Sequence, residues 1–207
     1  MKKFLFVIIS SLLFAGCEDD DVNADGSYEP ISTQYPYDEL SLKEEIDYFE
    51  LMQGPEEYEE KVFSYGELCA GAENTEECIS SFSDLTSENG FTYGCLPTEC
   101  NYYIRYNKDA ESFVVDSKEE LLNFLGAIDA KSDAILWAFA HDYYFPINNI
   151  EDGAIKKVTG GYELILLKTV SYCSPVQTNR FHLKISTDGE ITVLAEEVQS
   201  KDENSCI

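Results

Sequence analysis

Positive charge is scarce in this chain of 207 residues: 14 Lys and Arg stand against 40 Asp and Glu, a formal net charge of −26. Such a surface repels phosphate backbones and anionic headgroups at close range, which excludes nucleic acid as a partner. Imidazole is nearly absent, with His141 and His182 the only two. Neither falls at the one-turn spacing of a helical metal site. There is no Gly-x-Ser-x-Gly elbow, no phosphate loop and no dinucleotide fingerprint; Gly160-Gly161 precedes an expected strand instead of following one. Long apolar runs are lacking too. Phe4 to Ala15 is 12 residues with two serines among them, and a helix rising ~1.5 Å per residue would cover about 18 Å of a hydrocarbon core ~30 Å thick.

What is present points to a folded, exported domain. Apolar residues make up 44% of the chain, and 14 Tyr with 12 Phe argue against disorder over most of its length. The acidity is uneven: residues 17–100 hold 23 acids against Lys43 and Lys61 alone. Such a field suits a solubilising surface, a basic partner or divalent cations.

Met1-Lys2-Lys3 leads into the apolar run, and Leu12-Leu13-Phe14-Ala15-Gly16-Cys17 closes it. A basic start, a brief apolar core and small residues before a cut form a processing pattern, so residues 1–16 are set aside from fold reasoning. This stretch resembles the lipobox of bacterial lipoproteins, with Phe14 where Leu is commonest. The resemblance implies cleavage after Gly16, a diacylglycerol on the Cys17 sulfur and an acylated new amino group. Two or three acyl chains exceed the threshold for stable anchoring. The mature protein is then expected to be held by its lipid in the cell envelope, in the outer membrane. The acids Glu18-Asp19-Asp20-Asp21 resemble the surface-export signal of lipoproteins in some Gram-negative lineages and the inner-membrane retention signal in others; surface display is the expectation.

Once Cys17 is acylated, six cysteines remain, and an even number in an exported domain reads as disulfides. The pairs expected are Cys69 with Cys78, Cys95 with Cys100, and Cys173 with Cys206. A zinc site built from the first four is the alternative, although their spacings are not those of zinc knuckles.

Residues 17–40 read as an acidic, Pro- and Tyr-rich tether, and residues 41–207 as a single globular domain. Within the tether, Asp21, Asn23 and Asp25, followed by Gly26, match the first half of a calcium loop. The twelfth position, which should hold a bidentate Glu, is Ser32. Calcium is therefore a weak candidate, and no other cofactor is expected.

Ser41 and Glu44 form a capping box that predicts a helix to about Gln53, stopped by Gly54-Pro55. Lys61 to Tyr65 alternates as a strand. Asn74 or Thr75 should cap a helix with Cys78, Phe82 and Leu85 on one face. Asn101 to Tyr106 and Ser112 to Val115 read as a hairpin. Ser117 and Glu120 open a helix with a Leu121, Leu122, Leu125 and Ile128 stripe, and a second helix runs from Ser132 or Asp133 to about Tyr143. Three strands close the chain: Tyr162 to Cys173, Arg180 to Thr187, and Glu190 to about Val198, the last two joined by Asp188-Gly189 in the manner of a type I′ turn. The fold class expected is α+β: an antiparallel sheet with a C-terminal three-stranded meander, covered by two or three helices and stapled by disulfides.

For chemistry the inventory is thin. Acid pairs such as Asp129 with Asp133, or the Glu56, Glu57, Glu59, Glu60 cluster, are what forty acids produce by chance, and glycoside hydrolysis needs two carboxylates at controlled separation in a cleft. Aromatic clusters offer another reading. Tyr102, Tyr103 and Tyr106 on one strand, with Tyr143 and Tyr144 after the second helix, present rings that stack on sugars or on a partner's apolar surface. The function expected is a non-catalytic, lipid-anchored binding module for a protein or glycan partner. An envelope enzyme or enzyme inhibitor is the alternative, and a structural, cation-binding envelope component the third.

Overall fold

Alternation in the last third of the chain becomes a meander. In the computed structural model, which describes residues 22–54, 59–94 and 100–207, strands β8 (Gly161–Tyr172), β9 (Val176–Ser186) and β10 (Ile191–Asp202) pair antiparallel in sequence order. Phe181, Leu183 and Ile185 are buried, while His182, Lys184 and Ser186 lie on the wetter face. This is the period-2 pattern of a sheet with one packed side. Two further strands extend the sheet beyond β8: β7 (Ala154–Val158) and, at the edge, β1 (Glu29–Pro30), in the order β1-β7-β8-β9-β10.

A second sheet is built from β2 (Tyr48–Gly54), β3 (Glu60–Gly66), β4 (Thr92–Gly94), β5 (Cys100–Lys108) and β6 (Glu111–Val115). Strand β5 pairs along one edge with β2 and shares its other edge between β4 and β6. Three helices complete the described residues: α1 (Thr75–Ser83), α2 (Lys118–Leu125) and α3 (Lys131–Ala140). One core joins the two sheets through α2 and α3, with Phe49, Leu51 and Ile104 from one sheet, Leu164, Leu183 and Ile185 from the other, and Leu121, Leu125 and Leu136 between them. The fold is thus α+β with antiparallel strands and a C-terminal meander, in two sheets instead of the one expected.

The helix starts agree with their caps. The Ser117 side chain accepts from Glu120 N, and Asn74 from Glu77 N. Helix α3 has no such cap of its own; Asp133, in its first turn, accepts instead from the backbone of Asp129 and Ala130, at 3.2 and 2.8 Å, and from Ser41 at 2.9 Å. Burial pushes the Asp133 carboxyl up to about 6 against the downward pull of those three donors.

Four expectations are corrected. The helix from Ser41 to Gln53 does not form: Ser41 N serves Asp133, Lys108 pairs with Glu44, and Tyr48–Gly54 is a strand. Strand β2 is paired on both edges and covered on both faces, Tyr48 by Phe82 of α1 and Phe49 by the core. Its near-continuous apolar run is that of a central strand, which periodicity alone does not separate from a buried helix. Next, residues 22–40 are not a solvated tether, because Val22, Tyr28, Ile31 and Tyr37 are buried and β1 pairs with β7. Third, the β9–β10 connection is not a two-residue type I′ turn. Gly189 takes positive φ (84°) and Asp188 does not, and Ser186 N donates to Glu190 O at 3.0 Å, closing a three-residue loop within which Gly189 N donates to Ser186 O. Fourth, α3 stops at Ala140, before the expected Tyr143; Asp142 (φ 69°) turns the chain.

The disulfides Cys69–Cys78 and Cys173–Cys206 form as expected. The first ties α1 to the loop before it, and the second joins the end of β8 to the chain after β10. The Cys95–Cys100 pair and Cys17 lie outside what the structure describes. Among the described residues no helix is long and apolar enough to cross a membrane.

Candidate functional site: an aromatic cleft between the sheets

Helix α3 ends at Ala140, and the chain then turns through Asp142, whose left-handed conformation Asp tolerates better than most side chains. That turn lets Tyr144 pair with Leu167, N to O at 2.9 Å in one direction and 2.8 Å in the other, beyond the end of β7 on the open edge of β8. Tyr143 is directed inward against Phe181, 5.4 Å between ring centroids. Tyr144, 42% exposed, keeps its ring at the surface and its hydroxyl 3.3 Å from Thr178.

The second sheet supplies the opposite wall. Tyr102 of β5 meets Phe139 of α3 edge-on at 4.9 Å, and β4 brings Thr92, Tyr93 and Gly94 alongside. Together with Thr169 and Tyr172 of β8, these residues line a cleft of about 590 Å³. Tyr93 and Tyr172 are 61% and 50% exposed, more than ordinary core packing leaves a ring.

Polar groups are few and directed. Thr92 donates its hydroxyl to Asp142 Oδ1 at 2.7 Å, and Lys168 Nζ stands 3.6 Å from Asp142 Oδ2. Lys168 also donates to His141 O at 2.8 Å and lies over the Tyr143 ring at 4.9 Å. Burial pushes the Tyr102 phenol up to about 12 and raises that of Tyr143, so both remain neutral hydroxyls at physiological pH. Aromatic walls with a small number of convergent polar groups are the usual make-up of a small-ligand site. A larger recess of about 720 Å³ lies between Ser41–Lys43 and α2, but its lining carries no ring.

Of the tyrosines singled out from sequence, the fold brings Tyr102, Tyr143 and Tyr144 together and separates the other two. Tyr103 is buried on the opposite face of β5 with its hydroxyl on Glu59. Tyr106 stacks on Phe113 at 4.9 Å and packs against Phe124. Sequence reasoning missed Tyr93, Tyr172 and Asp142 as members of the cleft. Tyr172 was legible as an outward position late in a strand, whereas β4 is too short to carry a periodic signal.

The other candidates are placed as follows. Asp25 does not reach toward an ion; its carboxylate accepts from Ser27 N at 2.8 Å and from the Ser27 hydroxyl, and Lys156 lies 3.6 Å away. Asn23 is exposed, Asp21 lies outside the described residues, and among those described no three metal-ligating side chains converge. His141 does not line the cleft. Its Nδ1 lies 2.9 Å from Trp137 O, its ring packs on the Trp137 ring, and burial lowers its pKa.

The chain matches no protein family, no curated protein and no solved structure.

Proposed function

We propose that this chain is a lipid-anchored envelope protein, displayed at the outer membrane, that binds a neutral glycan in the aromatic cleft and performs no chemistry on it. The observation that carries the reading is the cleft itself: exposed rings of Tyr93, Tyr144 and Tyr172 around one carboxylate, Asp142. Flat rings stack on the C–H faces of pyranoses, and a carboxylate accepts two hydroxyl protons at once. The acidity of the chain favours an uncharged sugar over an anionic one.

Two features support binding over catalysis. Asp142 is the single carboxylate among the described lining residues, where hydrolysis of a glycoside uses two. No imidazole joins it. The envelope placement is supported by the lipobox-like start and by disulfides, which persist in oxidising compartments.

The test is calorimetric titration of the soluble domain with neutral hexose and N-acetylhexosamine oligosaccharides. Saturable heat that is lost in Tyr93→Ala and Tyr172→Ala supports the reading. Binding of apolar peptides with no response to any sugar would replace it with a protein partner, and release of reducing ends during the titration would replace it with an enzyme.

A further inference from the structure

The first described residues do not trail away from the domain. Val22 and Tyr28 are 1% and 7% exposed, and with Ala154 and Ile165 they form a second apolar cluster. Ile165 pairs with His182, on the face of β8 and β9 opposite to Leu164, Leu183 and Ile185. The chain from Val22 to Tyr28 therefore lies across the outer face of the meander sheet, and Glu29–Pro30 then joins the edge of that sheet beside β7 and delivers Ile31 to the main core.

Polar contacts clamp this segment along its length. Arg180 Nη1 donates to Val22 O at 3.1 Å, while the same guanidinium lies 3.1 Å from Asp152 and 3.0 Å from Glu197. The Tyr28 hydroxyl is 2.7 Å from His182 Nε2 and 3.1 Å from Glu163 Oε2. Lys156 completes that group, 2.8 Å from Glu163 and 4.3 Å above the Tyr28 ring. Burial by itself would raise the Glu163 carboxyl, but hydrogen bonds from Lys156, His182 and Tyr28 outweigh it and hold the group below its ordinary value. At the far end, Ile31 N donates to Gly153 O at 2.9 Å.

We propose that Val22–Ile31 is a strap that holds the lipid-bearing end against this sheet, and so holds the cleft close to the bilayer; this rests on reading Cys17 as the lipidated residue. Five residue steps lead from Cys17 to Val22 and reach at most about 18 Å, whereas a free leash from residue 17 to residue 40 would extend to roughly 83 Å. From Arg180, which grips Val22, two residues along β9, about 7 Å, lead to Thr178. The Thr178 hydroxyl meets Tyr144 of the cleft. Anchor and cleft therefore share one end of one sheet, and the glycan it takes is one presented at that membrane surface. Charge places the strap under load, because the acidic body is pushed from an anionic bilayer, and a clamped segment resists that push where a leash yields.

The experiment is neutron reflectometry of the mature, lipidated protein in a supported phosphatidylcholine bilayer, paired with hydrogen exchange. The wild-type protein layer is expected to begin within about 18 Å of the headgroups, with Ile31 exchanging as slowly as the amides of β7. The Tyr28→Ala/Arg180→Ala variant is expected to stand farther off and to lose the Ile31 protection. A wild-type layer separated by a wider solvent gap, or an Ile31 amide exchanging like that of a free peptide, overturns the strap, and the exchange measurement needs no variant to fold. Protein that washes off the bilayer while Ile31 stays protected overturns the lipid anchor instead, a distinct result.

Discussion

Thr92 donates its hydroxyl to the Asp142 carboxylate at 2.7 Å across fifty residues of chain, joining the short strand β4 to the turn after α3. This bond stitches the two walls of the cleft, and Asp142 holds a backbone conformation with φ 69°. Asp142→Ala is therefore expected to destabilise the fold by about 1–2 kcal/mol, through the loss of that bond and a left-handed alanine. Asp142→Asn, which tolerates the same backbone, is expected to cost less. Urea denaturation of the two variants checks this order, and equal losses would mean that the backbone conformation contributes nothing.

Tyr93 and Tyr172, at the mouth of the cleft, are half exposed or more and bury little of their rings. Tyr93→Ala and Tyr172→Ala are expected to change stability by no more than about 0.5 kcal/mol, yet to weaken glycan binding about tenfold or more, equivalent to ~1.4 kcal/mol. Tyr102→Ala removes a half-buried ring packed on Phe139 and is expected to lower stability and binding together. Thermal melts alongside titrations separate the two classes.

Beneath α1, Glu50 is buried with Arg105 Nε directly on its carboxylate and the Tyr48 hydroxyl donating to it at 2.6 Å. Arg105 is held in turn by Leu85 O at 2.8 Å and by the Phe82 ring at 5.2 Å. Removing Arg105 leaves the buried Glu50 to the Tyr48 hydroxyl and to Lys61 Nζ, 3.6 Å away, so Arg105→Met is expected to cost about 1.5–3 kcal/mol, the worth of a hydrogen bond to a charged group. Arg105→Met with Glu50→Leu is expected to recover a large part of that loss. A double-mutant cycle in guanidinium chloride measures the coupling, and simple additivity would refute it.

Acid stability should carry the mark of Asp133. Its folded pKa of about 6 exceeds the ordinary value of 3.8, so between those values the folded state holds a proton that the unfolded state releases. Stability from this group is thus greatest below about pH 4 and falls as pH rises toward 6, by on the order of 3 kcal/mol. The Asp133→Asn variant is expected to lack that fall. Unfolding curves for both proteins from pH 4 to 7 test it, and parallel pH profiles would contradict it.

How much of this was legible in the sequence follows the range of the interactions. Ser117 and Asn74 start their helices, and the alternation of Phe181, Leu183 and Ile185 becomes a packed strand, because caps and periods act within a turn or two of chain. The pairing of Cys173 with Cys206 was legible too, since a meander returns the third strand parallel to the first. Strand β2 was misread because its two covered faces come from partners far along the chain, Phe82 on one side and the shared core on the other. Tyr103 and Tyr106 look like their neighbour Tyr102 in sequence; which of the three enters the cleft depends on what packs against each face of β5.

By itself, then, the sequence determined the class of fold, the three closing strands, the starts of α1 and α2 and the acidity of the surface, all set by composition and by contacts between near neighbours. Tertiary structure decided that residues 22–31 lie on the sheet instead of trailing from it, and that Tyr93, Tyr102, Asp142, Tyr144 and Tyr172 meet at one cleft. Those outcomes depend on burial between segments tens of residues apart, and no local pattern records which surfaces will be close enough to exclude water from one another.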